Sequence, residues 1–212
     1  MLPIIGITSD YHKKRHRVGC GYTNAVTIAG GIPVILPAIQ DCIPQYKEMC
    51  DGFIFTGGDD PVMEEWGIAS HPSTTPVHTE RQSFELALLQ VLQHQPEVPV
   101  LGVCLGMQWM GLLAGGVLNQ DIEEPFASNH AQNDHVITGS FGEGIVHSHH
   151  HQALEEVGEL EIIALADDGI IEAVQHPNHL WYKGVQWHPE RTNDEQLGQH
   201  IFDHLVKACL QN

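Results

Sequence analysis

Gly102-Val103-Cys104-Leu105-Gly106 places a thiol between two glycines at the end of an apolar run. This G-x-nucleophile-x-G pattern suits a sharp strand-to-helix turn that lifts the central side chain above the carboxyl end of a sheet. A helix beginning at Leu105 would point its N-terminus at the sulfur, lower the thiol pKa and leave the Leu105 N–H to stabilise an oxyanion. The pentapeptide alone also fits a buried structural cysteine. The other thiols are Cys20, Cys42, Cys50 and Cys209. An odd total with no C-x-x-C pair indicates neither a disulfide framework nor a thiolate zinc site.

The second constellation is Gly184-Val185-Gln186-Trp187-His188-Pro189-Glu190. If the strand continues, His188 and Glu190 fall on one side, and the carboxylate can fix the tautomer of an imidazole that deprotonates Cys104. Pro189 stiffens the link. Cys104, His188 and Glu190 are thus a candidate triad.

The elements that must position these groups alternate. Strands are expected at Ile4 to Thr8, Pro33 to Leu36, Gly52 to Thr56 and Val98 to Val103. Helices are expected at Tyr22 to Ala29, at Thr79 to His94 and through Met107, Met110 and Leu113. Such alternation implies parallel βαβ units in an α/β fold. Residues 135 to 186 hold short strand candidates without long helices, which implies a smaller antiparallel part beside the parallel sheet. Asp194 to Cys209 reads as a closing helix with Leu197, Ile201, Leu205 and Val206 as its buried stripe. A single domain over residues 1–212 is expected.

With these residues in place, the chain resembles the class I glutamine amidotransferase-like family. Gly102 to Gln108 is similar to that family's nucleophile motif and Gly184 to Glu190 to its His/Glu motif. Pro3 to Thr8, Ala29 to Val34, Asp51-Gly52 with Thr56 to Asp59, and Ser148 to Ala153 resemble its free-standing γ-glutamyl hydrolase branch, the peptidase C26 type. The resemblance implies an open, mostly parallel, flavodoxin-like sheet flanked by helices, with a small antiparallel addition. It makes Cys104 the nucleophile, His188 the general base and acid, and Glu190 the orienting carboxylate. It puts oxyanion amides at Gly58 and Leu105 and substrate contacts at Gly57, Gln108, Ser148 and His149. The implied activity is hydrolysis of a small γ-glutamyl amide, of the γ-glutamyl-amine or γ-glutamyl-γ-aminobutyrate type, with no cofactor and no metal. Two alternatives stay open: a glutaminase subunit feeding ammonia to a synthase, and a non-catalytic γ-glutamyl-binding protein. The chain has His147 where the family tends to have asparagine, and it is shorter than typical members.

Composition narrows the partners. Asp and Glu number 27 against 9 Lys and Arg, a formal charge of −18. Such a surface repels phosphate backbones and anionic lipid, so neither nucleic acid nor membrane is expected. No run approaches the roughly 20 apolar residues of a membrane helix and the start is unlike a signal peptide, so a cytoplasmic location is expected. A homo-oligomer stays open. His147, His149 and His151 alternate, and on a strand they would share a face like a three-histidine zinc site. The motif around them needs no metal, and they are read as non-ligands. Lys13-Lys14-Arg15-His16-Arg17 concentrates four cations in one loop, read as solvated, with attraction of a carboxylate on the leaving group as the alternative. Asp59, Asp60, Glu64 and Glu65 form the opposite charge, read as a solvated acidic loop.

Overall fold

The computed structural model describes residues 1–123 and 126–211. The elements in chain order are β1 (Ile4–Thr8), β2 (Asp10–His12), β3 (Arg15–Arg17), α1 (Cys20–Ile28), β4 (Ile32–Leu36), α2 (Ile43–Met49), β5 (Gly52–Phe55), α3 (Thr79–Leu92), β6 (Val100–Val103) and α4 (Leu105–Leu113). They continue with β7 (Val117–Asn119), α5 (Phe126–His130), β8 (Asn133–Thr138), β9 (Glu143–Ser148), β10 (Ala153–Glu156), β11 (Glu161–Ala166), β12 (Ile171–Gln175), β13 (Tyr182–Val185) and α6 (Gln199–Cys209).

Among the described residues nine strands make one sheet, in the order β4-β1-β5-β6-β13-β12-β11-β8-β9. The first five run parallel to their neighbours. From β13 onward every pairing is antiparallel. The antiparallel strands therefore extend the parallel sheet edge to edge instead of packing beside it. The reason lies in β13, which pairs parallel with β6 on one side and antiparallel with β12 on the other. Two ribbons stand apart, β7 with β10 and β2 with β3.

Buried apolar side chains form two clusters, one on each face of the sheet. Strand alternation divides them: on β5, Phe53 and Phe55 join the cluster with Phe84 and Leu88 of α3 and Met110 of α4, while Ile54 joins the one with Val26 of α1 and Phe202 and Leu205 of α6. Each fully buried side chain of this size contributes roughly 1.5–3 kcal/mol. This two-sided covering explains the unbroken apolar runs of the central strands.

Most boundaries match the reading from sequence within a few residues. The closing helix begins later, at Gln199, and the basic segment is no loop but the β2–β3 hairpin. No described helix is long and apolar enough to cross a membrane.

Candidate active site

Strands β5, β6 and β13 lie side by side in the middle of the sheet, with Gly102 opposite Phe55 on one side and Gly184 on the other. Their carboxyl ends therefore open at one place, where open α/β sheets carry their sites. Thr56-Gly57-Gly58 leaves β5, Cys104 leaves β6, and His188 follows β13. The Cys104 N–H still donates to the Val185 carbonyl at 2.8 Å, which ties the last two together.

Cys104 has φ 52° and ψ −104°, a left-handed conformation costly for a residue with a Cβ. It is the residue before α4, so the strained turn faces the helix N-terminus, and the Leu105 N–H is among the first amides of that helix, which lack intrahelical acceptors. The turn needs glycine at Gly106, where a Cβ would collide with the Phe55 carbonyl oxygen of the neighbouring strand. Cys104 is buried, with Gln186 Nε2 3.5 Å and the His149 carbonyl oxygen 4.0 Å from its sulfur.

His188 is also buried, and Cys104 interacts with its imidazole. Its Nδ1 is 2.8 Å from Glu190 Oε1. The link differs from the expected extended one: β13 ends at Val185, and residues 189–191 form a single 3-10 turn. Pro189 has no N–H to lose at the first position of that turn, and the turn swings the carboxylate back onto the imidazole. Burial alone would lower the His188 pKa, but the Cys104 and Glu190 contacts together push it up to about 9. The imidazole is thus charged at neutral pH. Arg191 Nε, 3.2 Å from Glu190 Oε1, holds the same carboxylate oxygen.

The turn after β5 is clamped from both sides by residues with no local motif to mark them. Arg81 of α3 is wholly buried, and its Nη2 donates to the carbonyls of Thr56 at 2.8 Å and Gly57 at 3.1 Å. Its Nε reaches Glu85 Oε1 at 3.1 Å, and Glu85 in turn accepts from the Trp109 indole N–H at 2.9 Å. In sequence this Arg-x-x-x-Glu pair looks like an ordinary exposed i,i+4 pair. From the other side the Gly57 N–H donates to the Tyr22 hydroxyl at 3.1 Å. Burial, then the nearby Glu190 charge, raise the Tyr22 pKa well above its usual value, so the phenol stays protonated. The Gly57 amide is therefore already engaged, and Gly58 is the residue of this turn that fronts both parts of the cleft.

The cleft has two lobes. The larger, about 620 Å³, is lined by His188, Glu190, Tyr22, Arg17, Arg191 and Asp59 among others. The smaller, about 350 Å³, is lined by Cys104, Gln108, Asp60 and residues 149–152. Gly58, Asp59 and His149 border both. Of the expected substrate contacts, Gly57, Gln108 and His149 line the cleft. Gln108 is buried, with its Nε2 3.4 Å from both the Gln152 carbonyl and Gln186 Oε1. Ser148 ends β9 with a fully buried hydroxyl and lines neither lobe.

The alternating histidines do not converge, because the strand stops at Ser148. His147 Nδ1 lies 2.8 Å from Asp134, His149 borders the cleft, and His151 bridges Asp60 and Asp121 at 2.9 and 3.3 Å. Within the basic hairpin, Lys13 and Lys14 form the two-residue turn at φ 49° and 60°, whereas Arg17 lines the larger lobe and pairs with Asp10 at 2.8 Å.

The peptidase C26 family profile matches residues 3–190. A protein of Rickettsia prowazekii, provisionally named glutamine amidotransferase-like, is 30% identical over 97% of both chains. The γ-glutamyl-γ-aminobutyrate hydrolase of Escherichia coli K12 is 27% identical over 89% of this chain and 84% of its own length. Among solved structures, one from Thermoplasma acidophilum, described provisionally as part of a GMP synthase, superposes with a TM-score of 0.73 at 14% identity, covering 100% of this chain and 96% of its own. That likeness bears on the fold, a mostly parallel sheet flanked by helices. The chain belongs to the peptidase C26 family.

Proposed function

We propose that this protein hydrolyses γ-glutamyl amide bonds through a thioester on Cys104, and does so as a free-standing enzyme. The Cys104 sulfur, as the thiolate whose proton rests on His188, adds to the γ-carbonyl carbon, and the resulting oxyanion is held by the amides of Gly58 and Leu105. The C–N bond then breaks as His188, charged at neutral pH, gives its proton to the departing amine. Water adds to the thioester carbonyl, neutral His188 takes its proton, and the C–S bond breaks to release glutamate. Glu190 keeps the imidazole aimed throughout.

The two lobes divide the substrate between them. Cys104, which keeps the acyl half, lines the smaller lobe, and His188, which serves the leaving amine, lines the larger. The glutamyl group sits in the smaller lobe, with Asp60 at hand for its α-ammonium. An amine carrying several carbons fits the larger lobe.

One observation favours a free-standing hydrolase over a subunit that waits for a synthase. The turn carrying Gly58 is held by Arg81 and Tyr22 within this single chain, so its assembly needs no partner. The test is steady-state kinetics of the purified chain alone on glutamine and on γ-glutamyl derivatives of small amines, reading out glutamate. Turnover with a preference for the substituted amides is expected. Activity confined to glutamine and dependent on a second protein would transfer the assignment to an amidotransferase component, and no turnover with intact Cys104 would favour the binding protein.

A further inference from the structure

On the antiparallel side of the sheet, away from the triad, one buried carboxylate is surrounded by imidazoles. Glu172 on β12 is wholly buried. Its Oε1 lies 3.2 Å from Nε2 of His135 on β8, 3.3 Å from Nδ1 of His130 on α5 and 3.5 Å from Nε2 of His150. The donor atoms of His130, His135 and Glu172 all fall within 4.8 Å of one another. None of these inward-facing atoms, nor either Glu172 oxygen, has a hydrogen-bond partner of proper geometry among the described residues. Several buried polar atoms left so are costly, and such a cluster requires an explanation.

The outer nitrogens supply one. His130 Nε2 is 3.0 Å from Asp168 Oδ2, and His150 Nδ1 is 2.9 Å from the Gln152 carbonyl oxygen. Both partners are acceptors, so in each neutral ring the proton sits on the outer nitrogen and the inner one carries a bare lone pair. In those two neutral rings the lone pairs face the Glu172 carboxylate, and both ring nitrogens of His135 are without a hydrogen-bond partner of proper geometry among the described residues. Carboxylate and carbonyl acceptors behind an imidazole are the usual supports of a metal-binding histidine. Ligands 2.0–2.1 Å from a tetrahedral ion lie roughly 3.3 Å apart, close to the three separations around Oε1, and the His130, His135 and Glu172 donors, within 4.8 Å of one another, would draw together around an ion.

The geometry points to a structural site for a divalent transition ion of the zinc type, bound by Glu172, His130 and His135 with His150 as the fourth ligand. Nitrogen with one carboxylate suits such ions better than magnesium or calcium, which take oxygen. The ion would fasten α5, β8 and β12 to the segment at residues 149–152, which lines the smaller lobe. It lies outside the triad and takes no part in the chemical steps.

The protein is expressed without a polyhistidine tag, gel-filtered, and assayed for metal by mass spectrometry. About one zinc per chain is expected. After chelation and restoration with Zn²⁺ at about 100 times its dissociation constant, the melting temperature should rise by roughly 5–10 °C. Co²⁺ in place of zinc should show the visible absorption of a four-coordinate nitrogen and oxygen site. In Glu172→Gln the stoichiometric ion and the Co²⁺ spectrum should both disappear. Absence of retained metal together with a melting temperature indifferent to chelator and Zn²⁺ would overturn the site in the unmodified protein. Equal binding in Glu172→Gln would do so too, by assigning the ion to surface histidines.

Discussion

Replacing Gly57 by alanine tests whether the imidazole is held at its working distance by the turn beneath it. A Cβ built on Gly57 lies 2.8 Å from His188 Cε1, 3.4 Å from Cys104 Cβ and 3.5 Å from the Tyr22 oxygen. Ordinary carbon contacts begin at roughly 3.5–4.0 Å, so the ring must retreat by roughly 0.7–1.2 Å. The backbone of Gly57 cannot yield instead, because its N–H is taken by Tyr22 and its carbonyl by Arg81. Nor is alanine excluded by conformation, since Gly57 is not among the residues at positive φ. A displacement of about 1 Å between reacting groups costs about 100-fold in rate. Gly57→Ala should therefore lower kcat about 100-fold on a γ-glutamyl amide, with little change in KM. Stopped glutamate assays give the kinetics, and circular dichroism checks that the variant is folded. A folded variant with kcat within a few-fold of the parent would refute the proposed seating of His188.

Three further outcomes follow from the same geometry. A glutamine-analogue electrophile should label Cys104 once per chain, and Cys104→Ala should remove turnover; burial pushes the Cys50 and Cys209 thiols up to about 12, so neither should compete near pH 8, and labelling at Cys20 with activity lost would sink the assignment. The His188 ring, followed by NMR, should titrate near pH 9 and lower in Cys104→Ala, because the sulfur helps to raise it. Since this pKa is raised on folding from about 6.5, the stability it contributes is complete below about pH 6.5 and lost as pH rises through 9, so thermal melts of the parent and His188→Gln should converge toward pH 10. Finally, Arg17→Gln should raise KM several-fold for leaving amines that bear a carboxylate, whereas neutralising Lys13, Lys14 and Arg15 should change little, because of these four cations only Arg17 lines the cleft; equal effects of both variants would return the hairpin to a general field effect.

What the sequence revealed and what it concealed divide along a physical line. That Cys104, His188 and Glu190 lie together at one end of the sheet was legible because glycine-flanked turns and apolar strands are local patterns, written in a few consecutive residues. The parallel strands were legible for the same reason: burial on both faces leaves runs such as Val100 to Val103 without a polar break. The β2–β3 hairpin was hidden because its turn uses Lys13 and Lys14 at positive φ where asparagine and glycine are usual. Arg81 and Glu85 were hidden because their spacing is that of a solvated helix pair, and only the packing of α3 against β5 and α4 shows that both are buried. Tyr22 has no polar signature in sequence at all. The alternation of His147, His149 and His151 hides the neighbour that does converge on a carboxylate: His150 between them turns inward to Glu172.

The concealed residues share a role, and it bears on why the site takes the form it does. A strained cysteine at φ 52° and a buried charged imidazole both cost folding free energy, so the surroundings must hold them without slack. Arg81 does this for the turn after β5, and it brings its own charge into the interior to do so. That charge is offset by Glu85 at 3.1 Å and Asp10 at 3.6 Å, and Asp10 in turn anchors Arg17 at the wall of the larger lobe. One chain of ion pairs therefore runs from the floor of the turn after β5 to the wall of the larger lobe. Removing Arg81 would leave Glu85 buried without its counter-charge and free the carbonyls of Thr56 and Gly57 at once. Its position on α3, far in sequence from Cys104, His188 and Glu190, is what lets a single side chain brace a turn that no local motif could stiffen.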